Sequence, residues 1–160
     1  MRVFGVLGRA FDPRGRMSVA AYRRFVVRTI LTGAVLLCLA IWLAALGARW
    51  PAILTVAALP AIGLMALAAT ARRLHDRDRS AGWLAVWVLA QALGFAPLDR
   101  FVETDPLPVI GLLLAMLAYS VWFFLETVLR RGTPGPNRFG AAEDGDERHS
   151  DRVSPTRSVL

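Results

Sequence analysis

The sequence predicts an all-α, polytopic membrane protein with four transmembrane helices. Apolar residues make up 56% of the 160-residue chain and charged residues only 19%, whereas soluble domains average about 45–50% apolar and about 25% charged residues. The charged residues are also segregated into segments that separate long apolar runs. Each run is close to the roughly 20 residues that an α-helix needs to cross the hydrocarbon core of a bilayer.

The four apolar runs are the predicted spans, and the third of them is slightly short: 29–48, 50–71, 81–98 and 107–125. The first run lies too late in the chain and is too long to be the apolar region of a signal peptide. Pro60 lies inside the second run and is predicted to kink that helix. Gln91 lies in the middle of the third run, where an amide more often bonds a neighbouring helix than lines a substrate path.

The arginines predict the orientation of these spans. All 19 basic residues are Arg, and they concentrate before the first span, between the second and third, and after the fourth. The other two connections carry only Arg49 and Arg100. Because cytoplasmic loops of membrane proteins are enriched in basic residues, both termini are predicted to be cytoplasmic in a multi-pass membrane protein.

The predicted organisation therefore has four parts along the chain. They are a cytoplasmic basic segment (1–25), a four-span membrane domain with a cytoplasmic loop at 72–80 (26–131), an ordered Pro/Gly-rich segment (132–140) and a disordered cytoplasmic tail (141–160). The tail is assigned as disordered because it is highly charged and poor in large apolar residues.

The stretch ARRLHDRDRSAGW at 71–83 is a dense ionic segment between two apolar runs. If the second helix continues through it, the spacing i, i+3, i+4 places four side chains on one face: Arg72, His75, Asp76 and Arg79. Asp76 then lies one turn after Arg72 and Arg73. Asp78 or Ser80 is predicted to cap the third helix with a side-chain oxygen. Glu126 and Arg130, four residues apart, are predicted to form an ion pair at the membrane interface.

Catalysis or metal binding is the alternative to a structural role for this loop. His75 and Asp76 could supply a general base with its orienting carboxylate, or two metal ligands. Neighbouring residues on a helix point about 100° apart, however, so these two side chains do not converge. The other histidine, His149, lies in the polar tail, and Cys38 has no second cysteine to accompany it. We therefore expect no catalytic residue, no metal, no cofactor and no enzyme activity.

Binding of lipid is the third interpretation of the loop. Arginine recognises phosphate through its planar, bidentate fork, so the loop could gather with Arg130 and Arg131 around a phospholipid headgroup. A net charge of +7 would suggest nucleic acid in a soluble protein. Here the basic clusters flank apolar spans, and anionic lipid headgroups explain them better. The expected partners are membrane lipids, including anionic phospholipid, and a second copy or another membrane protein, with no nucleic acid.

Three segments carry a resemblance to a known family: GRMSVAAY at 15–22, RRLHD at 72–76 and GTPGPNRFG at 132–140. In this order they resemble the domain of unknown function 805 family of small bacterial inner-membrane proteins, over roughly residues 10–140. Two positions depart from the family pattern: Val19 stands where the family usually has Arg, and Gly82 replaces the first Trp of a pair. The resemblance implies a multi-span membrane protein and transfers no catalytic residue.

The predicted function is that of a non-enzymatic integral membrane protein that interacts with lipids or other membrane proteins. The alternative is a small transporter or channel subunit. The residues predicted to act as a structural clamp or as headgroup contacts are Arg16, Arg72, Arg73, His75, Asp76, Arg79, Asn137, Arg138 and Phe139.

Overall fold

The computed structural model describes residue 8 and residues 10–141, so most of the predicted tail and part of the basic segment lie outside the described residues. The described chain is helical, apart from one isolated β-bridge between Asn137 and Gly140. Its elements are α1 (Val19–Ala45), α2 (Arg49–Ala57), α3 (Leu59–Asp76), α4 (Gly82–Leu93), α5 (Asp99–Thr104), α6 (Pro106–Phe124) and a π-helical turn (Leu125–Leu129) that continues α6.

Helix α1 forms a hairpin with the helices that follow it. The hydroxyl of Ser18 caps its first turn by accepting a hydrogen bond from the amide of Ala21, as expected of an N-cap serine. At its end, Gly47 has a φ of 77°, and the amides of Gly47 and Ala48 donate to the carbonyls of Ala44 and Leu43. This is the Schellman pattern, in which glycine adopts the left-handed conformation and the chain reverses.

The second predicted span is interrupted where proline predicts it. Helices α2 and α3 meet at Ala58, and Pro60 occupies the first turn of α3, where its missing amide donor costs little. Together, Arg49–Asp76 form one apolar stretch of 28 residues. The helix is thus interrupted next to Pro60, and α3 continues past residue 71 so that the whole RRLHD sequence is helical.

Helix α3 ends in a second Schellman turn, at Asp78. The φ of Asp78 is 56°, and aspartate is one of the few residues other than glycine that tolerate this region. The amides of Asp78 and Arg79 donate to the carbonyls of His75 and Leu74. The predicted cap of the next helix by Asp78 or Ser80 is wrong, because α4 starts after Ala81 and no side chain caps it.

The third predicted span differs most from the structure. Helix α4 has 12 residues, which is about 18 Å and shorter than the roughly 30 Å hydrocarbon core. The chain leaves the helix at Gly94 and re-enters one only at Asp99, because Pro97 disfavours helix at its own position and at the preceding residue. Three helical segments are long and apolar enough to cross a membrane: Val19–Ala45, Arg49–Asp76 and Pro106–Leu129.

Packing between the helices leaves most apolar side chains on the outside of the bundle. A small core joins α3, α4 and α6 through Ala71, Leu74, Leu84 and Phe123. The Gln91 amide donates to the hydroxyl of Ser120 on α6 over 3.2 Å, which confirms the interhelical bond predicted for it. Large side chains such as those of α1 and α6 point outward, as expected for a chain whose solvent is lipid.

Candidate functional site

One end of the helical bundle is polar and ionic. Helix α1 begins there, α3 ends there, α4 begins there and the π-helical turn ends there, and each of these ends carries arginine. We call the arginine cluster the set of two buried carboxylates and the five arginines that pair with them: Asp76, Glu126, Arg16, Arg73, Arg77, Arg79 and Arg130.

Asp76 is the first centre of the cluster and is only 4% exposed. Its Oδ1 lies 3.0 Å from Nε and 2.9 Å from Nη2 of Arg16, and its Oδ2 pairs with Nη1 of Arg73. The spacing i, i+3 predicts the Arg73 contact. Arg72, the other predicted neighbour, makes no contact with the carboxylate; its backbone carbonyl accepts a hydrogen bond from the amide of Met17.

Glu126 is the second centre and is fully buried. The guanidinium groups of Arg77 and Arg79 donate from Nε to its Oε1 over 3.1 and 2.8 Å, and Nη1 of Arg130 donates to its Oε2 over 2.9 Å. The predicted pair of Glu126 and Arg130 is therefore present. The carboxylate is fully buried among the three arginines.

Arg79 also has an apolar environment. Its guanidinium carbon lies 5.6 Å from the ring centroid of Trp83 and 5.2 Å from that of Trp122. These distances are within the roughly 6 Å range of cation–π attraction. The two indoles therefore help to hold Arg79 in place beside Glu126.

The arginines also complete the hydrogen bonding of the end of α6. The last carbonyls of a helix have no partner within it, and here Arg73 donates to the carbonyls of Thr127 (2.8 Å) and Arg130. Arg23 donates to the carbonyl of Val128 over 2.7 Å, and Arg77 donates to that of Arg131. Cations at this position also complement the negative end of the helix dipole.

The segment at 132–140 lies across the end of α3. The amide and hydroxyl of Thr133 both donate to the backbone carbonyl of Asp76, over 2.8 and 3.0 Å. Arg16 donates in turn to the carbonyls of Thr133 (2.7 Å) and Gly135. The three sequence segments that carry the family resemblance thus contact one another at the Asp76 carboxylate.

His75 and Asn137 form a second contact between these segments. Asn137 donates from its side-chain amide to the backbone carbonyl of His75 over 2.9 Å and accepts from the amide of Phe139 over 2.9 Å. The imidazole stacks on the Phe139 ring at a centroid distance of 4.0 Å, and its Nδ1 lies 3.2 Å from the carbonyl of Gly15. The imidazole therefore turns away from Asp76.

The structure brings together all nine predicted site residues except for one side chain. Arg138 pairs with Asp78 over 3.1 Å, at the edge of the site, whereas the side chain of Arg72 makes no hydrogen bond to any described residue and its Nε is buried. Sequence reasoning missed Arg77, Thr133 and Gly132 as contributors. The spacing of residues along one helix does not indicate these contacts, because the partners lie about 50 or more positions away along the chain.

Gly132 has a specific steric role. A Cβ atom built at this position would overlap the Asp76 carboxylate, which its two arginines hold in place. We expect Gly132→Ala to lower the free energy of unfolding by about 1–3 kcal/mol, the usual cost of inserting a methyl group into a packed site. Thermal unfolding of the purified protein in mild detergent measures this change.

Gly111→Ala is the matched control for that prediction. Gly111 lies within α6, and a Cβ at its position meets no atom within 4 Å, so alanine should leave stability unchanged or raise it. Equal stability of the two variants would show that Asp76 moves without cost and that Gly132 has no steric role.

The chemistry available at the cluster is charge pairing. Both oxygens of Asp76 and of Glu126 are occupied by guanidinium groups, so neither carboxylate is placed to accept a proton from a substrate. Within residue 8 and residues 10–141, no group of three or more His, Cys, Asp or Glu side chains could hold a metal ion. The arrangement stabilises helix ends and concentrates positive charge.

Comparison with known proteins gives one match. The family described as "Protein of unknown function (DUF805)" matches residues 10–141, which includes every helix described above and all three contacting segments. No curated protein and no solved structure matches the chain. Because the match covers most of the sequence, the chain belongs to the DUF805 family.

Proposed function

We propose that this chain is a non-enzymatic, multi-pass protein of the bacterial inner membrane whose arginine cluster faces the cytoplasm and interacts with anionic phospholipid. The observation that carries this proposal is the distribution of charge between the two ends of the bundle. The polar end, formed by residues 10–28, 72–80 and 126–140, has twelve arginines and four carboxylates. The opposite end has two arginines and three carboxylates.

The excess arginines are on the surface, where lipid headgroups can reach them. Asp76 engages the buried side chains of Arg16 and Arg73, and Glu126 engages three partly exposed arginines. Arg24 and Arg131 are exposed beside the apolar spans. Each basic residue near an anionic membrane surface contributes about 1 kcal/mol of attraction. The surplus therefore favours the leaflet richest in anionic lipid, and the basic-loop rule assigns the same end to the cytoplasm.

We propose further that α4 and α5 together form an interrupted third span. Helix α4 starts at the polar end and α6 returns to it, so the chain between them must travel away from that end and back. Helix α4 alone is too short to cross. With the turn at residues 94–98 and the six residues of α5, the path approaches the length of a span and gives four crossings.

A topology experiment tests the orientation. In a Cys38→Ala background, Glu103→Cys should react with a membrane-impermeant maleimide in intact cells with the outer membrane opened, because residue 103 is exposed at the end opposite the cluster. Ser80→Cys should react only after the inner membrane is permeabilised. Labelling of position 103 only after permeabilisation would place the cluster outside and overturn the orientation.

Lipid analysis tests the proposed interaction. We expect anionic phospholipid to be enriched, relative to its share of the membrane, among the lipids that copurify with the protein in a neutral, mild detergent. The enrichment should fall as salt is raised, because exposed charges are screened. Copurified lipid with the composition of the bulk membrane would contradict the proposal.

A further inference from the structure

An apolar groove lies beside the arginine cluster. It has a volume of about 440 Å³ and runs between α3, the start of α4 and the segment at 11–13, with a lining that includes Phe11, Leu64, Leu67, Ala68, Ala71 and Leu84. This size falls in the roughly 300–1,000 Å³ range of ligand pockets. The surrounding surface of α3 is apolar and exposed at Leu64, so the groove is accessible from the hydrocarbon region.

Arg72 adjoins this groove and lacks a counter-charge. It follows the lining residue Ala71 and lies four residues after the lining residue Ala68, so it shares a helix face with the latter. Arg72 is therefore next to the groove at the polar end of α3, and its side chain is not one of those that line the groove. Its Nε is buried and has no hydrogen-bond partner among the described residues.

No nearby carboxylate of the cluster is available to Arg72. Asp76, one turn later, has both oxygens occupied by Arg16 and Arg73, and Glu126 is enclosed by three other arginines. A buried polar group without a partner is costly. Arg72 as a whole is partly exposed, so its terminal guanidinium nitrogens are open to an acceptor from outside the described chain, and an anion would also balance its charge.

We propose that Arg72 and the groove form a binding site for one anionic phospholipid, with the phosphate on the guanidinium and an acyl chain in the groove. This inference rests on the proposed function and specifies a single site for it. Guanidinium matches phosphate geometry through paired hydrogen bonds, and the apolar lining matches a hydrocarbon chain. The two features adjoin each other at the boundary between the spans and the polar end, where a phospholipid has the same order of groups.

The test uses the full-length protein in a neutral detergent, titrated with phosphatidylglycerol carrying two 14-carbon chains. Native mass spectrometry counts the bound lipids and gives the affinity of the tightest site. We expect Arg72→Gln to weaken that site about 10- to 100-fold, the loss that corresponds to hydrogen bonds with a charged group. Arg24→Gln, which removes an exposed arginine from α1, is the matched control and should leave the tightest site unchanged.

A second variant tests the groove separately from the charge. Ala68→Phe fills the groove while keeping Arg72, and we expect it to weaken the same site by a comparable factor. If Arg72→Gln does not fold, as judged by thermal unfolding without added lipid, Ala68→Phe alone decides. Wild-type affinity in either folded variant would overturn the site.

Two further probes identify the ligand chemistry. Phosphatidylcholine with the same chains should bind the tightest site more weakly, and glycerol phosphate should not compete at concentrations where phosphatidylglycerol saturates it. Full competition by glycerol phosphate would show a site for free phosphate and refute the lipid assignment. Wild-type affinity of the tightest site in folded Arg72→Gln, together with enrichment of anionic lipid by the wild type, would refute this site while leaving the proposed function intact. Absence of that enrichment from the wild type would remove the proposed function itself.

Discussion

Replacing Asp76 with alanine is expected to lower the free energy of unfolding by roughly 3–5 kcal/mol, the cost of removing one partner from a buried ion pair. The side chain of Arg16 is 2% exposed and that of Arg73 is fully buried, so both guanidinium groups would keep their charge without a counter-ion. Thermal unfolding in mild detergent, together with the yield of folded protein, measures the effect.

Two variants serve as controls for Asp76→Ala. Asp78→Asn removes the charge of a carboxylate that is 47% exposed and paired with the exposed Arg138, and asparagine tolerates the left-handed backbone at this position, so it should cost under about 1 kcal/mol. His75→Ala should also cost less than Asp76→Ala, because the imidazole contacts Phe139 and a backbone carbonyl without carrying the charge balance. The structural role would be contradicted if Asp76→Ala were as stable as the wild type and if both Asp76→Ala and His75→Ala abolished the protein's function in cells. That result would instead indicate a functional site at these two residues.

Glu126→Ala is expected to have a similar effect, again roughly 3–5 kcal/mol. It removes the one carboxylate that pairs with Arg77 and Arg79 among the described residues, and it also removes the partner of Arg130 one turn earlier. Because the carboxylate is fully buried, the loss should depend little on ionic strength. Unfolding measured at low and high salt separates this effect from that of a surface ion pair.

Glu103→Ala is the matched control for Glu126→Ala. Glu103 is an exposed carboxylate on α5, at the opposite end of the bundle, and its removal should change stability by less than about 0.5 kcal/mol. If Glu126→Ala and Glu103→Ala unfolded at the same temperature, the three arginines would be satisfied by water and the buried position of Glu126 would carry no energetic weight.

The fold could be predicted from the sequence where one physical signal acts alone. Apolar length identified the helical segments that include Val19–Ala45 and Pro106–Leu129, and Pro60 located the interruption between α2 and α3. The third span was harder, because its apolar count hides the break at Gly94 and Pro97. Hydropathy measures solvent preference and contains no term for the amide donor that proline lacks.

The site could be predicted only where its contacts are local. Helical spacing gave the pairs of Asp76 with Arg73 and of Glu126 with Arg130, which lie three and four residues apart. The contact of Arg16 with Asp76 joins residues 60 positions apart, and two of the arginines around Glu126, Arg77 and Arg79, come from the turn that follows α3. Spacing along one helix cannot show which distant arginine arrives, so burial of Glu126 could not be read from its position at the end of an apolar run.

The two roles of Arg73 have a consequence for how the protein is made. Asp76, the carboxylate that pairs with Arg73, and Arg16 precede α4 in the chain and are made early in synthesis. The backbone carbonyls that accept hydrogen bonds from Arg73 belong to Thr127 and Arg130, which are made late. Glu126, which pairs with Arg77 and Arg79, is likewise made after them. Arg73, Arg77 and Arg79 therefore lack these partners until the end of α6 has been translated, so the polar end of the bundle can be completed only after the last helix has been made.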